Sequence, residues 1–422
     1  MAHDQNGNGS RTSPESPAVR LGYYVSHPIQ YQAPLLRRLA QEQDIDLTVL
    51  FGSDFSVRGY KDEGFGVEVT WDVPLLSGYR SEFLKPLRDT GTYSPTTPIS
   101  WNLATSLLDT HGRPRFDALW VHGYASINAL QAITAANALG IPVLLRAESW
   151  LADRARSPLK LAIKQFFFKL LGRGIDAVLP IGTVNSRYWA HYWGKDVPQF
   201  LVPYAVDNGY FAALAEKAAP QREALRKELS LEVDRPVILF ASKLQTRKHA
   251  DHLVQAFHEH CNKLSSEAAK PYLVIVGDGE ERKNLEQLVS TLGLGEFVRF
   301  PGFRNQSELP RFFDLASVFV LPSRHEPWGL IVNESMASGC PVIVSTDVGS
   351  ALDLVTDGVE GCVYPVGDVN ALTDALDRVF ATPETPGIMG QAARQRMQQW
   401  SFEQDIQGIR QALAATTCKL RS

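Results

Sequence analysis

The sequence predicts an α/β protein built from two Rossmann-like parallel-sheet domains, and three observations carry that prediction. Short apolar strands alternate with helices of roughly ten to fifteen residues along most of the chain, the pattern of right-handed crossover units on a parallel sheet. The chain has 422 residues, enough for two domains of about 200 each. Hydrophobic residues make up 44% of it, enough for a sizeable core, yet no run of about eighteen apolar residues occurs, so a membrane-spanning helix is not expected. A net charge of -4 gives no electrostatic reason to expect a nucleic-acid partner. The cysteines, Cys261, Cys340, Cys362 and Cys418, form no CxxC pair and no metal-ligand spacing. They read as buried or incidental thiols in a reducing compartment, which points to the cytoplasm.

Residues 1–18 are polar, with Asn, Gly, Ser and Pro and no apolar centre, and read as a disordered tail rather than a secretory signal. "VRLGYYVS" from Val19 is the first strand, "YQAPLLRRLAQEQ" a helix with apolar residues at helical spacing, and "DLTVLFG" the second strand. His27, Pro28, Ile29 and Gln30 fall in the turn that follows the first strand. Asp54 to Pro98 is long and irregular with one expected strand, "VEVTWDV"; such an insertion is more often functional or mobile than structural. "FDALWVHG" is a strand ending in His122, "INALQAITAANALG" a helix, and "IPVLLRAES" a strand ending near Arg146 and Glu148. Ligands collect at the carboxyl ends of parallel strands, which makes these three side chains candidates. The competing reading is a His satisfied by local hydrogen bonds and an Arg paired with a Glu.

"SPLKLAIKQFFFKLLGRG", 157–174, is a helix with Ser157 as N-cap and Pro at its first position. Lys160 and Lys164 lie one turn apart, with Arg154, Arg156, Lys169 and Arg173 nearby. A basic amphipathic helix of this kind fits an anionic membrane surface, and equally an ordinary core element with solvated lysines. In the second half, "RPVILFASKLQTRKHADHLVQAFHEH" reads strand, loop, helix, with Lys243, Arg247 and Lys248 in the loop. "YLVIVGDGEERKNLEQLVSTLGL" repeats the unit with a turn at Gly277, and "FVRFPGFRNQSELPRFFDLASVFVLPS" adds a strand, a turn at Phe303 and Arg304, a helix capped by Ser307, and another strand.

That last strand runs into "SRHEPWGLIVNESMASGCPVIVS", where Glu326 and Glu334 are separated by seven residues. Pro327 and Gly329 mark a helix start, so Glu326 lies in the loop and Glu334 inside the helix. The amides of Gly329, Leu330 and Ile331 then point toward the loop and, with the helix dipole, suit an anion. A diphosphate flanked by two hydroxyl-bearing groups, one near each carboxylate, fits this arrangement.

The stretch "EPWGLIVNE" resembles the Glu, seven residues, Glu signature of retaining family-4 glycosyltransferases, which have the GT-B fold: two Rossmann-like parallel-sheet domains facing across a cleft. The resemblance runs from Val19 to Thr417 and is strongest from Pro236 to Tyr364. It implies an N-terminal acceptor-side domain over 19–205, a C-terminal nucleotide-sugar domain over 206–395, and helices at 396–422 returning to the first domain. It assigns Glu326 to the donor sugar, Glu334 to the ribose, and Gly329, Leu330 and Ile331 to the phosphates. Lys248 matches the family lysine of "GRLxxxKG", Lys243 stands for the arginine and Arg247 is the alternative guanidinium. Phe303 and Arg304 fall by the base through their backbone, and Gly277 lies in a donor-side turn. His122 matches a family histidine, and Glu148 occupies a position where His is common. "SHPIQYQAP" replaces the family's Gly-Gly turn, so His27 or Gln30 would supply the contact there, and Asp54 to Pro98 is the candidate acceptor surface.

The resemblance implies transfer of a sugar from a nucleotide-diphosphate donor, UDP-sugar by family frequency, to an acceptor that is a saccharide, a lipid-linked sugar or a small metabolite. No cofactor and no metal are expected, since the sole Asp-x-Asp, Asp44 and Asp46, lacks a partner cluster. Two other readings are an epimerase or coupling enzyme on the same fold and an inactive nucleotide-sugar-binding subunit.

Overall fold

The computed structural model describes residues 17–58, 60–61, 68–69, 72–151, 157–265 and 270–417. Nearly all of the N-terminal tail, Arg154, Arg156 and Cys418 therefore lie outside the described residues. The first sheet has strands β1 (Val19–Val25), β2 (Ile45–Phe51), β3 (Arg80–Phe83), β4 (Ala118–His122), β5 (Val143–Arg146) and β6 (Ala177–Val178). The second has β7 (Val237–Ala241), β8 (Tyr272–Val276), β9 (Val298–Gly302), β10 (Val318–Leu321), β11 (Val342–Ser345) and β12 (Gly361–Tyr364). All neighbours in both sheets are parallel, in the orders β6-β5-β4-β1-β2-β3 and β9-β8-β7-β10-β11-β12. Each sheet starts in its middle, winds to one edge, and returns to wind toward the other. A crevice opens where the winding reverses, at the ends of β1 and β4 and of β7 and β10.

Strands such as β7 and β8 are buried along their whole length. Their sequences, VILFA and YLVIV, are continuous apolar runs because helices cover both faces. The Asp54 to Pro98 insertion adds more strand than its sequence suggested. β3 extends the first sheet, and two short antiparallel pairs join Tyr60–Lys61 to Glu68–Val69 and Pro86–Arg88 to Ile99–Ser100. β3 was not legible because RSEF is half exposed at an edge and has no apolar alternation. Two expected caps also differ. Ser157 begins its helix without a side-chain cap bond. Ser307 donates instead to Asp72, and Glu308 is the residue that precedes helix Leu309–Leu315.

The helix Thr385–Gln398 packs on the second sheet through Ala393 and Met397. The chain then crosses at Gln399–Ser401, and the last helix, Phe402–Thr417, buries Ile406, Ile409, Ala412 and Leu413 against Leu21, Val49 and Trp120 of the first. Tyr204 stands at the junction. Its carbonyl accepts from Asn333 Nδ2 at 3.0 Å and from Trp400 Nε1 at 2.9 Å. Trp400 stacks on Trp328 at 5.5 Å, and the Trp328 indole donates to Asn333 Oδ1 at 2.9 Å.

Arg146, expected among the cleft side chains, belongs to this junction. It is 2% exposed, lies 3.5 Å from Asp405 of the last helix, and donates to the carbonyls of Val202 and Pro203 at 3.0 Å each. Its guanidinium also covers the Tyr204 ring at 4.7 Å. The last helix lies across the end of β5, which takes Arg146 out of the cleft and away from the Glu148 pairing considered above. Burial pushes the Asp405 carboxyl up, against the pull of Arg146. Arg146→Ala leaves two carbonyls buried without their donor and the buried Asp405 without its neighbouring cation, so a loss of about 3–5 kcal/mol is expected in urea unfolding. A loss below about 1 kcal/mol would remove Arg146 from the junction's main supports.

Candidate active site

The loops after β7 and β10 face one another at the second sheet's winding reversal. Arg324 N–H donates to the Arg247 carbonyl at 2.7 Å, which ties the two loops together. Lys248, in the single turn Thr246–Lys248, and Arg247 both reach Glu326 Oε2, the latter at 3.2 Å. The Lys248 and Glu326 side chains are 9% and 13% exposed, while Arg247 is half exposed. Burial alone would raise the Glu326 carboxyl, but the facing Lys248 and Arg247 cations outweigh it and hold the group below its ordinary range. Burial pulls the Lys248 ammonium down while Glu326 acts to keep it protonated. The pair is an ammonium facing a carboxylate. Lys243 lies in the same loop and repels Lys248. His249 and His325, the neighbours of the pair on either side, have φ of +49° and +55°. Left-handed backbone at two non-glycine residues beside one ion pair is local strain of the kind that accompanies functional loops.

The helix Leu330–Ala337 begins as the sequence predicts. Gly329 precedes it with φ +86°, a conformation that a side chain resists. The first bond of the turn runs from Val332 N–H to the Gly329 carbonyl at 2.9 Å, leaving the Leu330 and Ile331 amides outside the intrahelical ladder. The approach to the helix is clamped, since Glu326 N–H donates to Asp347 O at 3.1 Å and Gly349 N–H to Glu326 O at 2.9 Å. Glu334 is 7% exposed, and its Oε1 accepts from Gln306 Nε2 at 3.1 Å. Burial pushes its carboxyl up to about 7, although Gln306 pulls the other way. Gln306 was not singled out in the sequence, because nothing local marks a loop amide as the partner of a Glu 28 residues on.

Gly277 serves the site through the backbone. Its φ is +134°, and a Cβ there would come within 2.0 Å of the Ser242 carbonyl, so only glycine lets this turn lie against the Lys243 loop. Phe303 follows β9, and the Arg304 side chain turns to Glu228 and Glu308 at 3.7 and 3.8 Å.

In the first half, His122 ends β4 with Gln32 Nε2 3.1 Å from its Nδ1 and Glu148 4.0 Å from its Nε2. Burial, with repulsion from Arg146 and His27, lowers it to about 3, so the ring is neutral. Glu148 accepts from the hydroxyls of Tyr31, at 2.7 Å, and Tyr204. Neither tyrosine was singled out, since only the fold joins positions 31, 148 and 204. His27 packs on Phe55 at 4.4 Å and is lowered by burial to about 4, so it carries no charge to offer a phosphate. Gln30 keeps a buried Oε1 without a hydrogen-bond partner; an amide oxygen accepts, so this atom is open to a hydroxyl or N–H donor and not to a phosphate oxygen. Asp44 and Asp46 pair with Arg410 at 2.7 Å and Arg80 at 3.0 Å. A cavity of about 350 Å³ lies between the two halves, with Tyr31 and Asp72 on one wall and Asp207, Tyr210 and Gln306 on the other. A second, of about 650 Å³, opens within the first half beside Ser53, Asp54, Arg58 and Asp89.

Two winding-reversal crevices, with a returning helix between their sheets, define a GT-B protein. Residues 221–396 match the family of glycosyl transferases group 1. The GDP-mannose-dependent alpha-(1-6)-phosphatidylinositol monomannoside mannosyltransferase of Mycolicibacterium smegmatis is 31% identical over 241 residues, 56% of this chain and 60% of that protein. A sucrose-phosphate synthase from Thermosynechococcus elongatus superposes with a TM-score of 0.66 at 21% identity, covering 93% of this chain and 98% of that one. Anabaena HepE in complex with UDP superposes with a TM-score of 0.68 at 17% identity, covering 94% and 100%. The chain therefore has the GT-B fold, and its second half matches the group 1 glycosyltransferase family; the chain spans about three fifths of the length of the mannosyltransferase it resembles.

Lys248→Met and Glu326→Gln, alone and together, should show a coupling of about 1–3 kcal/mol in a double-mutant cycle of unfolding free energies. A coupling under about 0.5 kcal/mol would dissolve the pair as an energetic unit. Glu334 sets a pH dependence. Its folded pKa of about 7 lies above the ordinary 4.5, so its contribution is complete below about 4.5 and is lost as pH rises through about 7. Glu334→Gln should flatten the decline of stability across that window by up to about 3 kcal/mol. Parallel curves for variant and wild type would refute the assignment.

Proposed function

We propose that the protein transfers a sugar from a nucleoside-diphosphate donor to an acceptor hydroxyl, with retention at the anomeric carbon and with UDP-sugar as the favoured donor. The observation that carries this reading is the Glu326 carboxylate held by Lys248 and Arg247 beside the Gly329–Ile331 turn, with the buried Glu334 further along the same helix. Heterolysis of the bond between the anomeric carbon and the phosphate oxygen leaves both electrons on the diphosphate and positive charge on the ring. Lys243, Lys248 and the helix amides oppose the first charge, and Glu326 orients the sugar hydroxyls and favours the second. The acceptor oxygen bonds to the carbon on the face the phosphate leaves, and its proton passes to a donor phosphate oxygen.

Glu334 would hold the ribose hydroxyls in place of Gln306, and the turn at Gly277, Phe303 and Arg304 would border the base. The acceptor would enter from the first half, where neutral His122, Glu148 and Gln30 meet the cleft. Fixed cations and amides do the work of a divalent ion on this account, and no cofactor is invoked. Three described cysteines, Cys261, Cys340 and Cys362, are free and buried, which suits a reducing, cytoplasmic setting.

Thermal stability against UDP, GDP, ADP and their common sugars, with and without chelator, tests the donor site. The chelator arm matters because His249, Asp251 and His252 bring three ligand atoms within 4.8 Å of one another next to Lys248. GDP belongs in the panel because the mannosyltransferase relative is named for GDP-mannose. A nucleotide at about a hundred times its dissociation constant should add ~2.7 kcal/mol to the wild type and nothing to Lys248→Ala. No shift with any nucleotide would end the donor-site reading. Binding without acceptor-dependent turnover would instead favour the inactive-subunit reading.

A further inference from the structure

The helix Pro158–Leu171 is turned outward. Only Phe168 and Leu171 are buried, while Leu159, Ile163, Phe166 and Leu170 are 71%, 61%, 64% and 48% exposed. At about 100° per residue these four side chains fall within an arc of roughly 60°, on the side away from the buried pair. They form one continuous apolar stripe in solvent, where an ordinary surface helix would present its charged face. Lys160 lies along one margin of the stripe, and Lys169 and Arg173 along the other, all three exposed. Lys164 is instead folded over the rings of Tyr188 and Tyr192 at 4.8 and 4.7 Å. From Ser157 to Gly174 there is no Asp or Glu, although the whole chain has a net charge of -4.

The spacing of the stripe would also suit a helix from a second copy of the chain. Self-pairing, however, would set these cations against their own copies with no carboxylate on the helix to answer them. Apolar side chains bordered on both sides by cations complement an anionic lipid surface: the stripe enters the boundary of headgroups and acyl chains while the cations meet phosphates.

We propose that this helix is a docking surface for an anionic bilayer and holds the first half of the protein flat on the membrane. The helix follows β5, whose carboxyl end leads to Glu148 at the cleft, so its first turn lies at the cleft end of the sheet. Leu151, between β5 and the helix, is 50% exposed as well. The contact would thus sit beside the mouth of the cleft.

Co-sedimentation of the full chain with phosphatidylcholine vesicles, with and without about one third phosphatidylglycerol, tests the proposal. Binding should require the anionic lipid and weaken at about 0.5 M salt. Phe166→Glu should reduce partitioning by at least about tenfold, and Lys169→Ala with Arg173→Ala by roughly fivefold per cation removed. Each variant should keep the wild-type thermal midpoint and its shift with nucleotide, so a failure here is separate from a failure of the donor-site reading. Absence of binding to anionic vesicles, or equal binding by wild type and Phe166→Glu, would overturn the proposal. A dimer in light scattering that Phe166→Glu converts to monomer, without vesicle binding, would overturn it in favour of self-association.

Discussion

The carbonyl oxygen of Tyr204 takes two hydrogen bonds from beyond the first sheet, one from Asn333 and one from Trp400. Much of the arrangement around the cleft depends on that small junction. Asn333 lies on the helix that carries Glu334, and Trp400 begins the return of the chain to the first sheet. The Tyr204 ring and hydroxyl meet Arg146 and Glu148 on the other side. One residue therefore couples the position of the motif helix, the crossing of the last helix and the end of β5. The Asn333 bond is fully buried, where an unpaired partner costs more than the bond itself contributes.

The same economy explains the state of the site. Lys248 and Glu326 are both nearly buried, and neither would be tolerated there without the other. Their mutual pairing satisfies two charges whose proposed partners are a diphosphate and a sugar. Glu334 solves the same problem differently. With Gln306 as its hydrogen-bond partner among the described residues, burial raises its pKa toward neutrality, so the group carries less charge into its buried setting than Glu326 does. Gln306 also lines the cavity between the two halves, which links the environment of this carboxyl to the space a ligand would enter.

The departures from the family pattern acquire physical meaning in this setting. Trp328, within the motif, supplies an indole N–H to Asn333 and a face for Trp400, and a phenyl ring could provide only the second. Glu148, where a His is common, becomes the acceptor for the Tyr31 and Tyr204 hydroxyls. Arg146 shows the opposite lesson. Its place at the end of a parallel strand argued for a ligand contact, yet a helix more than 250 residues further along the chain covers that end.

By itself the sequence determined the alternation of strands and helices, because a parallel sheet covered on both faces demands continuous apolar strands. It determined the start of the motif helix, because Pro327 and Gly329 act on local backbone geometry. It also placed Lys248 and Glu326 on loops at strand ends, where parallel sheets gather ligands. Only the tertiary structure decided which polar side chains meet: Gln306 with Glu334, Tyr31 and Tyr204 with Glu148, Arg146 with Asp405, Ser307 with Asp72. It alone also decided which face of the 157–174 helix is left to solvent. Local patterns encode the conformation of a segment, whereas partners distant in the chain are chosen by how the sheets and helices pack. The desolvation that sets a residue's charge is therefore written in no single stretch of sequence.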